Sequence, residues 1–450
     1  MSEFASQPRP TPTRVGQFSW MLFDFAAQPF HTLILTFIFA PYFAAHLSPN
    51  AVDGQAMWGY AIGLGGFVIA ILAPVLGAMS DTTGPRKPYI AFFSIFAIIG
   101  ASLMFFAAPG TENGVLFAVV GVFLAIIGFE FATIFNNAMM PNLIKDEDLG
   151  LLSGFGWALG YVGGILTLLI ILAFMAASPE TGTTLVGLSP IFGLDPMLHE
   201  GDRASGLLTA IWYLIFIIPL FLFTPDAPKI ERTKNAIQKG LRKLGTTLKN
   251  LPQRKSYFAY LLASMFYRDG LNGLYAFGGI YAVGMLGLST IQIGVFGIIA
   301  ALSGAIGATI GAFADKNFGP KAVVSTCCYL LILACVIVVS TTQQYALFTI
   351  QLEPDSNIPL IIFYIAGAII GGAGGALQAA SRTLLVRQVP QSEVGEAFGL
   401  FALTGRATSF IAPLSIAVVT SWSQSQQIGI TPIIALFVLG AVGLLFVTKK

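Results

Sequence analysis

Twelve apolar runs, each near the ~20 residues needed to cross ~30 Å of hydrocarbon, leave this chain little length for anything except membrane-spanning helices. They cover residues 18–45, 55–79, 88–108, 114–140, 150–177, 206–224, 257–286, 290–314, 321–342, 358–381, 395–421 and 428–447. Charged residues make up only 10% of the chain, against roughly 25% in soluble domains. The expected fold class is therefore an all-α membrane protein with 12 transmembrane helices. Residues 1–17 form a polar N-terminal segment, and span 1 is too long for a signal-peptide core, so it reads as an uncleaved anchor.

Lys and Arg in short loops stay on the cytoplasmic side. Arg9 and Arg14 precede span 1, Arg86 and Lys87 join spans 2 and 3, Lys145 joins 4 and 5, and nine basic residues from Lys229 to Lys255 join 6 and 7. Lys316, Lys321, Arg382, Arg387, Lys449 and Lys450 bring one side to 20 of the 23. Both termini are expected to be cytoplasmic, in a protein of the cell (inner) membrane. The net charge of +2 reflects this asymmetry and gives no argument for nucleic-acid binding. Cys327, Cys328 and Cys335 all fall in span 9 and read as lipid-facing or packing residues, with no disulfide or metal set.

The chain repeats itself. "GAMSDTTGPRKP" (Gly77 to Pro88) ends span 2, and "GAFADKNFGPK" (Gly311 to Lys321) ends span 8 with the same order of Gly, Asp, Gly-Pro and a basic residue. "GFGWALG" (Gly154 to Gly160) in span 5 is echoed by "GLFALTG" (Gly399 to Gly405) in span 11. A 6+6 pseudo-symmetric arrangement follows, with bundles over 18–224 and 257–450 and a central site near the bilayer midplane. The basic linker 225–256 places Ile237, Leu241, Leu244, Leu248 and Leu251 at helical spacing, as either an amphipathic helix on the inner leaflet or a flexible tether.

These residues resemble the major facilitator superfamily, whose loop signature after span 2 is matched by Gly77, Asp81, Gly84, Arg86 and Lys87. Within it, "FDFAAQPFHTLILTFIFAPYF", "NNAMMPNLI" with "SGFGWALGYVGG", and "GLFALTGRATSFIAPL" are similar to the autophagy-related vacuolar effluxer branch and its bacterial relatives of unknown substrate. One departure is in span 1: the branch usually reads Asp-Trp-Ala-Asn-Ser, and this chain has Asp24-Phe25-Ala26-Ala27-Gln28. The resemblance implies a 6+6 facilitator fold in which spans 1, 4, 7 and 10 line a cavity, alternating access, and efflux of small neutral amino acids. It implies no cofactor.

The loop signature reads as a cytoplasmic gate. Asp81 suits the positive end of a neighbouring helix and Arg86 as partner, with Asp315 and Lys321 at the matching place in the second half. A generic turn is the alternative. Arg382 either snorkels to headgroups or latches the same gate.

Charges deep in the spans are few: Asp24, Glu130, Arg268, Asp269 and Arg406. Asp24, Gln28 and His31 share a face of span 1, Glu130, Thr133 and Asn137 a face of span 4, and Asn272 lies a turn from Arg268 and Asp269. Intramembrane ionisable groups default to function, so Asp24, His31, Glu130, Asn137, Arg268, Asp269, Asn272 and Arg406 form the expected substrate or proton-coupling set. Three carboxylates face two cations, leaving one to bind a proton or the ammonium of a zwitterion whose carboxylate pairs with an arginine. The alternative is a buried network that locks the halves together. His31 alone reads as a satisfied polar residue, with a proton relay beside Asp24 as the alternative.

Glycines at four-residue spacing in spans 5 (Gly156, Gly160, Gly164) and 8 (Gly307, Gly311) suggest a sliding interface between the halves, or static packing. No nucleophile–base pair or metal cluster points to an enzyme. The expectation is a monomeric secondary transporter of a small polar solute, coupled to protons. A uniporter or a non-transporting sensor or assembly factor of the same fold are the alternatives.

Overall fold

In the computed structural model the described residues are 13–144, 149–228, 245, 249–354, 356–390 and 394–448. Within them the side chains at 74, 75, 77–83, 141, 149–151, 153, 154, 394–396, 398, 399 and 406 are not described. The linker positions Ile237, Leu241, Leu244 and Leu248 therefore lie outside the described residues, as do Arg9, Lys145, Lys449 and Lys450.

Helices run over α1 (Arg14–Pro29), α2 (Ala51–Thr83), α3 (Lys87–Leu103), α4 (Gly114–Met139), α5 (Leu149–Ile170) and α6 (Glu200–Phe223). After the linker come α7 (Lys255–Leu286), α8 (Thr290–Phe318), α9 (Pro320–Val339), α10 (Ile358–Val386), α11 (Val394–Ala407), α12 (Ile411–Ser423) and α13 (Pro432–Leu445). Ten helical stretches among the described residues are long and apolar enough to cross a bilayer. The expected spans 257–286 and 395–421 do not qualify. The first is a continuous 32-residue helix, α7, excluded by its polarity rather than its length. The second breaks at Thr408 to Phe410 into α11 and α12, because Pro413 has no N–H to give the Ser409 carbonyl.

The two halves repeat one another's neighbours. α1 packs on α5 and α6, α4 on α2 and α3, and α3 on α6; correspondingly α7 packs on α11 and α13, α10 on α8 and α9, and α9 on α13. The loop signatures take part in this repeat through their lysines. Lys87, at the start of α3, donates from Nζ to the Phe221 carbonyl at the end of α6 (2.9 Å). Lys321, at the start of α9, donates to the Val447 carbonyl just beyond α13 (2.5 Å). Each lysine satisfies a carbonyl at a helix C-terminus, where a cation also suits the dipole.

α1 is interrupted where Pro29 withdraws the hydrogen bond due to the Phe25 carbonyl. Trp212 of α6 supplies it instead, Nε1 to O at 3.0 Å, and the chain continues as a π-helical stretch, Phe30–Phe37. Freed backbone groups in a membrane helix need such a replacement donor.

The halves meet at the end of the bundle opposite Thr13 and Thr448, here the loop end. α2 lies along α12, where Gly59 faces Pro413 and Ala417, and Gly66 faces Phe410. Fully buried Gln55 donates to Thr420 Oγ1 (2.8 Å) and to the Gln426 carbonyl (3.3 Å). Gln426 answers with a bond from Nε2 to the Ala51 carbonyl (2.9 Å). Phe37 stands against Gly297, and Leu172 against Gly294. With each buried bond contributing about 1 kcal/mol, Gln55→Leu is expected to raise the population open at the loop end by about 5- to 30-fold. Faster labelling of a cysteine placed at Ser421 would register it; an unchanged rate would show that Gln55 is not a latch.

The four-residue glycine spacing does its packing inside each half. A Cβ at Gly164 would stand 2.5 Å from Thr32 Oγ1 of the first span, and one at Gly311 would stand 2.7 Å from Ala376 Cβ of α10. The close approaches of Gly156, Gly160 and Gly164 are to the first span, and those of Gly307 and Gly311 to α10, so the static-packing alternative describes these contacts.

Candidate functional site

The glycine face of α5 cradles Asp24. A Cβ at Gly156 would lie 2.6 Å from Asp24 Oδ2, and one at Gly160 would lie 3.4 Å from Asp24 Cβ. Gly163 meets the Phe25 carbonyl one step further along. Asp24 is half-buried, and among the described residues nothing donates a hydrogen bond to its carboxylate.

The equivalent place in the second half carries the opposite charge. In the echo between "GFGWALG" and "GLFALTG", Gly156 corresponds to Phe401 and Gly160 to Gly405. Arg268 of α7 lies over those two residues of α11. Its Nη1 donates to the Phe401 carbonyl at 2.8 Å, its guanidinium stands 4.0 Å from the Phe401 ring centroid, and a Cβ at Gly405 would stand 2.5 Å from Cζ. Cation–π contact and one carbonyl fix the fork in place. Arg268 is half-buried like Asp24.

Asp269, its neighbour, turns elsewhere. It is 2% exposed, and its Oδ2 accepts from the Ala412 N–H at 2.9 Å, in the first turn of α12. Arg268 thus ties down α11 and Asp269 caps α12, one on each side of the break in span 11. Neighbouring helix positions point ~100° apart, which is why an adjacent Arg and Asp serve two different segments instead of each other. Asp269→Ala is expected to cost about 1–3 kcal/mol through the lost cap and unpaired N–H, while Asp269→Asn, which keeps an acceptor, costs less. Thermal melting of the purified variants would measure both, and equal melting would remove the capping role.

Other members of the expected set sit as follows. Glu130 is half-buried on α4, while Asn137 and Asn272 are exposed. His31 is half-buried, with its ring 5.4 Å from that of Phe30. The side chains of Arg406 and Asp81, and the surroundings of Gly77, are outside the described set. Arg382 is half-buried and within electrostatic reach of Arg268 and of Tyr161 on α5. Tyr161 in turn interacts with Tyr275 of α7, which shares a hydrogen bond with Gln378 of α10. These electrostatic interactions run between Tyr161 in the first half and Arg382 and Tyr275 in the second. Tyr161 and Gln378 are absent from the expected set, although Tyr161 follows the Asp24 cradle directly in sequence.

At the terminal end, Gly84 takes φ +93° and its carbonyl accepts from Arg86 Nη1. The backbone N–H groups of Arg86 and Lys87 both donate to the Asp226 carboxylate at 2.9 Å, which caps α3 from the start of the linker. Asp315 is buried on α8, with Arg387 Nη2 at 3.8 Å from Oδ1. Cys327, Cys328 and Cys335 are buried and free. Among the described residues no group of three or more His, Cys, Asp or Glu is placed to hold a metal ion.

A family model described as "Vacuole effluxer Atg22 like" matches residues 44–450. The uncharacterized MFS-type transporter YxiO of Bacillus subtilis (strain 168) is 26% identical over 437 residues, covering 96% of this chain and 94% of that one. Autophagy-related protein 22 of Cryptococcus neoformans var. neoformans serotype D (strain JEC21 / ATCC MYA-565) is 22% identical over 285 residues, which is 62% of this chain and 47% of the fungal protein. This chain therefore matches about half the length of that relative. Among solved structures, a D-xylose-proton symporter aligns with TM-score 0.65 at 13% identity, over 97% of this chain and 96% of that one. A POT family transporter in complex with 5-aminolevulinic acid also gives 0.65 at 13%, over 99% and 98%. At such identity the likeness is one of fold.

Proposed function

This chain belongs to the Atg22-like vacuole effluxer family, multi-pass membrane transporters of the major facilitator fold rather than enzymes, and we propose that it is a secondary active transporter of a small zwitterionic solute. The observation that carries this reading is the inversion of charge at matched places: Asp24 over Gly156 and Gly160, Arg268 over Phe401 and Gly405. An internal repeat that places an acid on one side and a base on the other suits a cargo with an ammonium at one end and a carboxylate at the other. Neutral amino acids have that form, and the POT family neighbour holds one such zwitterion, 5-aminolevulinic acid.

In this account the chain forms a 6+6 bundle of twelve spans, with domains over 18–224 and 257–450, both termini cytoplasmic, and residence in the cell membrane. Arg268 takes the substrate carboxylate through the donors left free by the Phe401 carbonyl, and Arg382 adds positive potential. Asp24 takes the ammonium. Alternating access proceeds by rocking of the halves about the loop-end contacts at Gln55, Thr420 and Gln426, the conformation here being the one closed at that end. Proton coupling falls to Asp24 or Glu130, since Asp269 is engaged as a cap.

The test is flux in proteoliposomes. A neutral amino acid is expected to accumulate against its gradient when a proton gradient is imposed, and to stop when a protonophore collapses it. Flux of the same size with and without the gradient would make the protein a uniporter.

A further inference from the structure

We propose that the N-terminal end of α7 holds a phosphate group, presented either by an anionic phospholipid headgroup or as free phosphate. A pocket of about 540 Å³ opens there, lined by Arg254, Lys255, Ser256, Tyr257, Arg387 and Gln388. Three of these side chains are cationic. The pocket also lies at the N-terminus of a 32-residue helix, where the helix dipole favours an anion.

Gln388 supplies an independent sign that a ligand is missing. It is 7% exposed, and its Nε2 is buried with no hydrogen-bond partner among the described residues. The orientation of this amide follows from its neighbours. Ser256 Oγ accepts from both the N–H and the Oγ1 hydroxyl of Thr448 (2.9 Å each) and donates its own proton to Gln388 Oε1 (2.5 Å). That leaves the NH₂ group without an acceptor in the wall of a basic pocket, where an anion's oxygen would satisfy it. Arg254 stacks on the Tyr257 ring at 5.3 Å, holding its charge at the rim. Asp315 lies 3.8 Å from Arg387; a phosphate would compete with it for that guanidinium and so touch the second-half loop signature.

This site is separate from the central one. Lys255 and Arg268 are 13 residues apart on one helix, roughly 20 Å along its axis, which puts the pocket where headgroups rather than cargo would lie.

The full-length protein in phosphatidylcholine nanodiscs, with and without phosphatidylglycerol, and in detergent titrated with inorganic phosphate, gives the test. Phosphatidylglycerol, phosphate or both are expected to raise the melting temperature, and Gln388→Glu and Lys255→Glu to weaken that binding at least tenfold. A response to phosphatidylglycerol alone assigns the group to lipid; a response to phosphate in detergent assigns it to the free ion. Should either Glu variant fail to insert, Gln388→Leu, which removes the donor without adding charge, replaces it. No response to either probe, or responses undiminished in the variants, would overturn the proposal.

Discussion

Arg268→Gln is expected to lower zwitterion flux in proteoliposomes by about a hundredfold, with Arg268→Lys restoring little of it. A hydrogen bond to a charged group contributes ~1.5–3 kcal/mol, and a buried carboxylate left without its cation costs ~3–5 kcal/mol. At ~1.4 kcal/mol per factor of ten, about two orders of magnitude follow. Lysine fails for a geometric reason. The guanidinium sits over the Phe401 ring, 4.0 Å from its centroid, with Nη1 spent on the Phe401 carbonyl. A point-charge ammonium cannot stack there and still offer a second, forked edge to a carboxylate. Normal flux in Arg268→Gln would show that Arg268 only braces α11.

Asp24→Asn is expected to produce a loss of similar size, about a hundredfold, because it keeps shape and removes charge. Gly156→Val makes the same prediction by another route. Its new Cβ would meet Asp24 Oδ2 at 2.6 Å, and no carbon sits that close to an oxygen without one of them moving. Asp24 keeps its charge but leaves its position, so flux should fall to within about threefold of Asp24→Asn, as misplacement by ~1 Å can cost a hundredfold. If Gly156→Val transports normally while Asp24→Asn does not, charge matters and the α5 cradle does not. Circular dichroism and melting of each variant separate these effects from misfolding.

Much of this arrangement is legible in the sequence. Apolar run length gives ten of the spans, and the echo between Gly154 and Gly399 links the two segments that meet Asp24 and Arg268. What periodicity misses is pairing over long separations. It treats 395–421 as one helix, although Pro413, with no N–H for the helix ladder, already marks a break one turn before it. It groups Arg268 with Asp269 in one cavity set; the ~100° between helix neighbours already sends them to different partners, but not to the Phe401 carbonyl and the Ala412 N–H in particular. Glycine spacing announces a close approach but not the partner, and only coordinates reveal that the partner of α5 is α1. Lys87 and Lys321 read as parts of a gate signature, yet the atoms they touch belong to the ends of α6 and α13. Gln55 carries no local signal at all; its importance comes from Thr420 and Gln426, some 370 residues away.

The central claim is that Asp24 and Arg268 hold the two ends of one cargo, and counterflow from proteoliposomes loaded with solutes of four charge classes examines it most directly. Small zwitterions should exchange readily, while a deaminated acid, a decarboxylated amine and a neutral sugar of similar size should exchange at least tenfold more slowly. Arg268→Gln should erase the advantage of the zwitterion over the amine, and Asp24→Asn its advantage over the acid. Exchange of the sugar or of either singly charged analogue as fast as the zwitterion in the wild-type protein would contradict the account.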